Sequence, residues 1–193
     1  MKKRPTPGRS PRFRAPVVIL AGGVKGEDRA SSEAAKALFL SALSGFAGTL
    51  ISGGTTSGIA GVAGDLAMAC PRAEVIGYLP RRFGKNKRDR RYSRLCATPG
   101  NGFSAAECLR YWSDLIAAGV DPATVALLGW GGGRIAALEY RLALLLGARV
   151  GIVAGTGRSA DDLRSDPVWA TAPRLSFLPL HSAAVSVFIN AAE

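Results

Sequence analysis

Short apolar segments alternate with helical patterns along the whole chain. The stretches between these segments carry apolar residues at helical spacing, as in 31–46, where they fall on one stripe. Continuous apolar runs of this length are typical of strands that are buried on both faces of a parallel sheet. The alternation therefore predicts a doubly wound α/β fold, with a mainly parallel sheet of about six strands and helices on both faces. The predicted strands are 16–22, 49–53, 74–80, 124–130, 149–155 and 174–180.

The length and composition fit one globular domain without a membrane span. The chain has 193 residues, of which 48% are hydrophobic and 20% are charged. Its longest apolar runs are broken well before the roughly 20 residues that cross a bilayer, and we find no signal peptide. We therefore expect a cytoplasmic protein with no membrane partner. Cys70, Cys96 and Cys108 are widely spaced and His181 is the only histidine, so we expect no disulfide framework, metal or cofactor.

The net charge of +11 is concentrated in two segments. Residues 1–14 hold six basic side chains and residues 81–94 hold eight against the single Asp89, which together make 14 of the 25 lysines and arginines. The remaining 11 basic residues face 13 acidic ones, so the rest of the chain has a net charge of −2. We therefore divide the chain into a basic flexible arm, 1–15, and one domain, 16–193. The second basic segment is expected to belong to a loop that extends to residue 103 and can hang over an anionic ligand.

Four of the predicted strands end in glycine-rich turns. The carboxyl ends of the strands in an open α/β sheet are the edge at which ligands bind. Glycine lets backbone N–H groups approach a ligand closely, and the helix that follows offers unpaired N–H donors and the positive end of its dipole. Several such turns at one edge predict a phosphate-binding site. The turns are 21–27, 52–58, 129–134 and 154–159.

The candidate ligand-binding residues come from these turns. For a single turn, packing of strand against helix explains the glycines equally well, the hydroxyl residues can be ordinary helix caps, and the basic residues can be surface charges. Neither the P-loop pattern nor the dinucleotide-binding pattern of glycines is present. The candidates are Gly22, Gly23, Lys25, Gly53, Gly54, Thr55, Thr56, Ser57, Gly58, Gly131, Gly132, Gly133, Arg134 and Arg158.

Two of the turns carry a family resemblance. The stretch GGTTSGIAG (53–61) resembles the first glycine motif of the SLOG superfamily, and GGGRIAALE (131–139) resembles the second motif of the LOG phosphoribohydrolases. The longer stretch 127–158 is more similar to the prokaryotic relatives of the TRPM-channel N-terminal domain. The resemblance covers most of residues 16–190. It implies a Rossmann-like domain that binds a nucleotide-derived ligand, such as ADP-ribose or cyclic ADP-ribose, and acts as a ligand sensor in signalling or defence.

Glu139 stands at the catalytic glutamate position of the LOG motif, but the other catalytic groups differ. LOG enzymes carry an Arg-Lys pair on the preceding helix, where this chain offers only Arg110. The proline and the Gly-Thr of the second motif are replaced by Gly131 and by Ile135-Ala136. On its helix Glu139 shares a face with apolar residues, so its carboxylate needs a partner or a raised pKa. A structural ion pair with a nearby arginine is the alternative to a catalytic role.

Three functions stay open. The first is a nucleotide sensor, and the alternative is a LOG-like nucleoside 5′-monophosphate phosphoribohydrolase. Nucleic-acid binding through the basic segments ranks last, because the basic loop offers only Phe83 and Tyr92 for stacking on bases. A homodimer or higher oligomer is also expected by analogy with related domains, and the small-residue helix 58–69 permits close helix packing.

Overall fold

The computed structural model describes residues 12–24, 28–84 and 87–191. Within these ranges the chain alternates between seven strands and six α-helices. The strands are β1 (Val17–Gly23), β2 (Thr49–Ser52), β3 (Glu74–Pro80), β4 (Arg94–Thr98), β5 (Val125–Gly131), β6 (Arg149–Val153) and β7 (Leu175–Leu178). The helices are α1 (Arg29–Ala42), α2 (Gly58–Ala69), α3 (Ala105–Ala117), α4 (Arg134–Leu145), α5 (Arg158–Ser165) and α6 (Ser182–Asn190).

All seven strands form one parallel sheet in the order β4-β3-β2-β1-β5-β6-β7. The first half of the chain therefore adds β2, β3 and β4 on one side of β1. The chain then returns to the other side of β1, where β5 pairs with it, and adds β6 and β7 outward. Adjacent strands at such a reversal send their following helices to opposite faces, which opens a crevice at their carboxyl ends. The Rossmann-like, doubly wound α/β fold predicted from the sequence is confirmed, with seven strands instead of about six.

The additional strand is β4, within the region that the sequence analysis assigned to a loop from 81 to 103. It pairs only with β3 and lies at the edge of the sheet. Most of its residues are half-buried or exposed, so it lacks the continuous apolar run that marks the buried strands. An edge strand takes its stability from one neighbour, and that pairing is not visible in the local sequence.

Two hydrophobic layers hold the helices against the sheet. Side chains alternate along β1, so that Val18 and Leu20 point to one layer and Val17 and Ile19 to the other. The first layer packs under α1, α2 and α6, and the second under α3, α4 and α5. Of the three helices on the second layer, α4 follows β5 and α5 follows β6, whereas α6 returns to the first layer.

The small residues of α2 are used inside the domain. A Cβ at Gly64 would lie 2.1 Å from the Asp89 Oδ2 atom, because the loop after β3 folds across this helix. There the Arg91 Nη2 atom lies 2.6 Å from Asp89 Oδ2, and the same guanidinium also contacts Asp65. Part of the predicted basic loop is therefore anchored by ion pairs to the body of the domain.

The start of the described chain also contacts the domain. Phe13 packs against the second hydrophobic layer, and Arg14, which the sequence analysis placed in the arm, donates from its Nη2 atom to the carbonyl oxygen of Arg72 at 2.7 Å. The rest of the predicted arm, 1–11, lies outside the described residues. None of the helices in the described part is long and apolar enough to cross a membrane.

Candidate functional site

A cavity of about 1060 Å³ opens at the carboxyl edge of the sheet, where β1, β2 and β5 end. This is the crevice that the strand order creates. Nine of the fifteen residues singled out from the sequence line it, and they come from three different turns and from α4. They are Gly22, Gly23, Gly53, Thr55, Ser57, Gly58, Gly133, Arg134 and Glu139.

Two glycines of the predicted site sit behind the cavity wall and pair the turns with one another. The Gly131 N–H donates to the Thr156 Oγ1 atom at 2.9 Å, and the Gly132 N–H donates to the Gly23 carbonyl oxygen at 2.8 Å. Gly132 has a φ of +90°, and a Cβ there would lie 2.3 Å from that of Ala136. These glycines let two turns meet closely, and their N–H groups are already bonded within the protein.

Gly54 and Thr56 face the basic loop instead of the cavity. The Thr56 N–H donates to the Lys87 carbonyl oxygen at 3.1 Å, and the Gly54 carbonyl accepts from the Asp89 N–H at 3.0 Å. A short antiparallel bridge between Thr55 and Arg88 lies between these bonds. The loop after β3 is thereby fixed beside the turn that follows β2, next to the cavity.

The fourth glycine-rich turn, 154–159, is filled by a side chain of its own helix. The Asp161 carboxylate accepts from the Gly155 N–H at 3.0 Å and from the Gly157 N–H at 2.9 Å. A carboxylate at this position occupies the donors that a phosphate would use. Arg158, at the start of the same helix, is exposed and does not line the cavity. Its Nη2 atom nevertheless lies 2.9 Å from the point where a Cβ on Gly133 would lie.

Two of the helices that begin at the cavity have no side-chain cap. The N-cap residues Ser57 of α2 and Gly133 of α4 make no side-chain hydrogen bond to the first turn. By contrast, Asp28 caps α1 and Ser104 caps α3. The first N–H groups of α2 and α4 have no intrahelical partner, so they are available to an anion in the cavity, where the helix dipoles favour negative charge.

Glu139 lies in the wall of the cavity, half-buried. It accepts a hydrogen bond from the Tyr111 hydroxyl at 3.3 Å, and no lysine or arginine of the described chain forms an ion pair with it. Within the described ranges, Glu139 therefore does not form the structural ion pair considered from the sequence. Burial raises the pKa of Glu139 to about 7, with a smaller contribution from the nearby Glu107 charge, while the Tyr111 bond opposes the rise.

The other glutamate at the cavity, Glu107, is held by its own helix. Its carboxylate accepts from the Ser104 N–H at 2.7 Å and from the Thr98 hydroxyl, which completes the capping box of α3. Arg110, the counterpart of the LOG arginine, lies outside the cavity, with its Nε atom 3.0 Å from Asp114 Oδ1. The single arginine expected on this helix is thus engaged in a pair within α3.

Several cavity residues were not singled out from the sequence. Tyr78 on β3 packs edge-to-face against Tyr111 on α3, with 5.9 Å between the ring centroids. The Phe103 ring lies next to Gly53, 3.6 Å from the point where a Cβ on that glycine would lie. These aromatic residues lie in strand, loop and helix segments without a shared motif, so only the fold brings them together. Among the lining residues that were not predicted from the sequence are the polar and aromatic side chains Arg29, Ser32, Tyr78, Phe103, Glu107 and Tyr111.

Lys25 of the predicted site lies outside the described residues. Among the residues described, no group of three or more histidine, cysteine, aspartate or glutamate side chains is arranged to hold a metal ion. The cavity combines two uncapped helix ends and two arginines, Arg29 and Arg134, with aromatic rings and two glutamates.

The fold and this cavity define a Rossmann-like domain with a ligand-sized cleft at its switch point. Comparison with family models identifies the family: residues 15–187 match the model described as "SLOG in TRPM, prokaryote". The chain belongs to this family, which confirms the resemblance read from the two glycine motifs.

Solved structures show the same fold at low sequence identity. A structural genomics target, TM1055, is 18% identical over 90% of this chain and 97% of its own, with a TM-score of 0.64. The molybdenum cofactor carrier protein of Chlamydomonas reinhardtii is 20% identical over 90% and 96%, with a TM-score of 0.62. The molybdenum cofactor binding protein of Rippkaea orientalis is 16% identical over 82% and 86%, with a TM-score of 0.53. The search of curated proteins found no match to this chain.

Proposed function

We propose that this chain binds a nucleotide-derived ligand of the ADP-ribose or cyclic ADP-ribose type in the cavity at its β1/β5 crevice, and acts as a sensor in signalling or defence. One observation carries the proposal. The uncapped amino ends of α2 and α4 face the same cavity, and aromatic side chains line that cavity as well. A ligand that joins phosphate to ring systems matches both halves of this lining.

The phosphate end is assigned to the turns. Gly58 and Gly133 stand at the starts of α2 and α4, where N–H donors are free of intrahelical bonds. Arg134 lines the cavity beside one of these starts, and Arg29 lines it from α1. Arginine suits this role because its planar guanidinium binds two phosphate oxygens at once.

We assign the ring and ribose part of the ligand to the side of the cavity that α3 and β3 form. Tyr111 and Phe103 offer aromatic surface for a base, and Glu139 offers a carboxyl group that bonds ribose hydroxyls whether it is protonated or not. The cavity volume of about 1060 Å³ lies just above the usual range for clefts that hold drug-sized ligands. This size favours a ligand larger than a nucleoside monophosphate.

The structural relatives support small-molecule binding on this fold. Two of them are named for the molybdenum cofactor. At 20% identity or less, these structures support only a shared fold. The proposed ligand is therefore inferred from the lining of the cavity. The molybdenum cofactor is accordingly the first competing ligand in the binding experiment.

The experiment measures ligand binding by calorimetry and by thermal shift, with ADP-ribose, cyclic ADP-ribose, AMP and the molybdenum cofactor. A ligand at 100 times its Kd stabilises the folded state by about 2.7 kcal/mol. Gly23→Val is the diagnostic variant, because Gly23 lines the cavity and a Cβ there meets nothing within 4 Å. Gly84→Val is the matched control, since that position is also open but lies outside the cavity.

We expect Gly23→Val to keep its thermal stability and to lose at least about tenfold in affinity, roughly 1.4 kcal/mol, because the side chain fills ligand space. The control variant is expected to bind like the wild type. If Gly23→Val bound the ligand with wild-type affinity, the binding site would have to lie elsewhere. If the protein bound the molybdenum cofactor more tightly than ADP-ribose, the proposed ligand would be wrong.

A nucleotide hydrolase is the second candidate function, because Glu139 lines the cavity. Its raised pKa of about 7 suits a general acid or base. Release of free base from AMP or cytokinin-type nucleotides tests it. A hydrolase would lose about a hundredfold in turnover on Glu139→Gln while keeping its affinity for the nucleotide. Under the sensor proposal the wild type releases no base, and Glu139→Gln retains most of the binding.

A further inference from the structure

The charged residues that line the cavity are distributed unevenly around it. In the described part of the chain two arginines and two glutamates border the cavity. Arg29 comes from α1, which packs on the first hydrophobic layer, whereas Glu107 and Glu139 come from α3 and α4 on the second layer. Arg134 is exposed at the first residue of α4. Beyond that helix start, the wall that holds the two glutamates is therefore acidic, and we call it the acidic side of the cavity.

The acidic side has no positive partner among the described residues. None of the ion pairs in that part of the chain includes Glu107 or Glu139. Arg110, the basic residue of α3, pairs with Asp114 at 3.0 Å and lies outside the cavity. Glu139 is the sixth residue of α4, beyond the first turn on which the helix dipole acts. Its carboxylate has therefore lost part of its hydration without gaining a counter-ion.

The other groups around Glu139 are uncharged and mostly aromatic. The Tyr111 hydroxyl donates to it at 3.3 Å, and Tyr78 packs edge-to-face against Tyr111. Burial, and after it the charge of Glu139, raises the pKa of the Cys108 thiol to about 11. The same two causes raise the pKa values of the Tyr111 and Tyr140 phenols, so all three groups stay protonated and neutral. Aromatic rings beside a carboxylate that lacks a counter-ion form a surrounding that attracts an organic cation.

We propose that the acidic side of the cavity selects a ligand whose ring carries a positive charge at the nitrogen bonded to ribose, as the pyridinium ring of NAD+ does. This inference rests on the proposed function, because it keeps the phosphates at the starts of α2 and α4 and adds the charge of the ring as the selected feature. The charged nitrogen is bonded to the ribose itself. A carboxyl group that bonds the ribose hydroxyls, as proposed for Glu139, therefore also lies near the charge.

The two ends of such a ligand match the two sides of the cavity. Its diphosphate offers two anionic groups, and two helix starts without a side-chain cap face the cavity. This arrangement differs from the dinucleotide-binding pattern of glycines, in which one helix start holds the pyrophosphate, and that pattern is absent from this chain. The pyridinium then supplies the positive charge that the acidic side lacks.

NADH is the matched probe for this idea, because it differs from NAD+ by one hydride and its ring is neutral. NADH therefore carries one more negative charge than NAD+. The overall field of a chain with a net charge of +11 attracts the more negative molecule more strongly. A preference for NAD+ runs against this general effect, so it has to come from groups that lie close to the ring.

The experiment measures by calorimetry the affinity of the full chain for NAD+, NADH and ADP-ribose near pH 8, where Glu139 is mostly ionised. We expect NAD+ to bind at least about tenfold more tightly than NADH. Glu139→Gln is expected to remove this preference and to keep most of the affinity for ADP-ribose, which lacks the ring. Glu33→Gln is the matched control, since it removes an exposed carboxylate of α1 outside the cavity, and it is expected to keep the preference.

A second measurement needs no variant and serves if circular dichroism shows that Glu139→Gln does not fold. Burial raises the pKa of Glu139 to about 7, so near pH 6 the free protein holds this group mostly protonated. The preference of the wild type for NAD+ over NADH is therefore expected to fall several-fold between pH 8 and pH 6. The phosphates of both dinucleotides stay ionised over this range, so they do not contribute to the change.

Equal affinity for the two dinucleotides, or tighter binding of NADH, overturns the inference. So does a preference for NAD+ that survives Glu139→Gln, that Glu33→Gln removes to the same extent, or that is the same at both pH values. If ADP-ribose binds while NAD+ has no advantage over NADH, the proposed nucleotide site stands and only this inference fails. If neither ADP-ribose nor the dinucleotides bind, the proposed function itself fails.

Discussion

Replacing Glu139 by glutamine should make the folded state less sensitive to pH. Burial raises the pKa of this carboxyl group from its ordinary value of 4.5 to about 7. The folded state therefore holds a proton between these two pH values that the unfolded chain has already released. Stability falls as the pH rises through this window, because the unfolded state binds fewer protons there than the folded state does. Above a pH of about 7 the loss is complete and stays constant.

The size of the effect follows from the difference between the two pKa values. At about 1.4 kcal/mol for each pKa unit, the full difference corresponds to roughly 3 kcal/mol. Glu139 borders an open cavity and is only half-buried, so we expect the measured value to lie between about 1 and 3 kcal/mol. Glutamine keeps the shape of the side chain and cannot ionise. The variant should therefore match the wild type near pH 4.5 and be more stable than it at pH 8.

The assay is urea unfolding of both proteins at several pH values between 4 and 8, without ligand. Glu33→Gln, which removes an exposed carboxylate on α1, is the control for a general effect of charge. The quantity compared is the difference in unfolding free energy between variant and wild type at each pH. A difference that does not change with pH, or one that changes equally for both variants, would refute the reasoning.

Two further predictions concern contacts near the site. Gly64→Ala should destabilise the protein by roughly 2 kcal/mol in urea unfolding, although alanine favours helices, because its Cβ would lie 2.1 Å from Asp89 Oδ2 and push apart the half-buried ion pair of Asp89 with Arg91. Gly84→Ala, at an open position, should have almost no effect, and equal stability of the two variants would contradict the packing argument. Asp161→Ala should cost about 1 kcal/mol by thermal unfolding, because two backbone N–H groups lose their acceptor. Asp162→Ala on the same helix is its control, and an equal loss there would deny the capping role.

The sequence by itself determined the elements and their class. The strands that run through the middle of the sheet are buried on both faces, so their continuous apolar runs can be recognised without any knowledge of neighbours. Several glycines were equally readable, because a positive φ or a close backbone approach excludes other residues. Gly132, with a φ of +90°, is such a position. The family motifs carry these same local requirements.

Tertiary structure decided which turns form the cavity. The turns after β1 and β5 adjoin because these strands pair, from Val17 beside Val125 to Gly23 beside Gly131, although about a hundred residues separate them in the chain. The fourth turn looked equivalent in the sequence, but it is closed by Asp161, one helical turn further on. Local sequence patterns determine the backbone conformation of a turn. Whether its N–H groups are free for a ligand depends on which side chains the fold brings next to it.

The aromatic half of the cavity also depends on the fold, as do the apolar side chains that stay exposed on α4. Tyr78 and Tyr111 meet because α3 packs over β3, and the edge strand β4 between them in sequence was not visible from its half-exposed residues. Leu138 follows the same apolar spacing as buried helix residues, and only the packing leaves it exposed. Apolar periodicity indicates which side of a helix is apolar, but the packing of the sheet and the neighbouring helices decides which of those residues are buried.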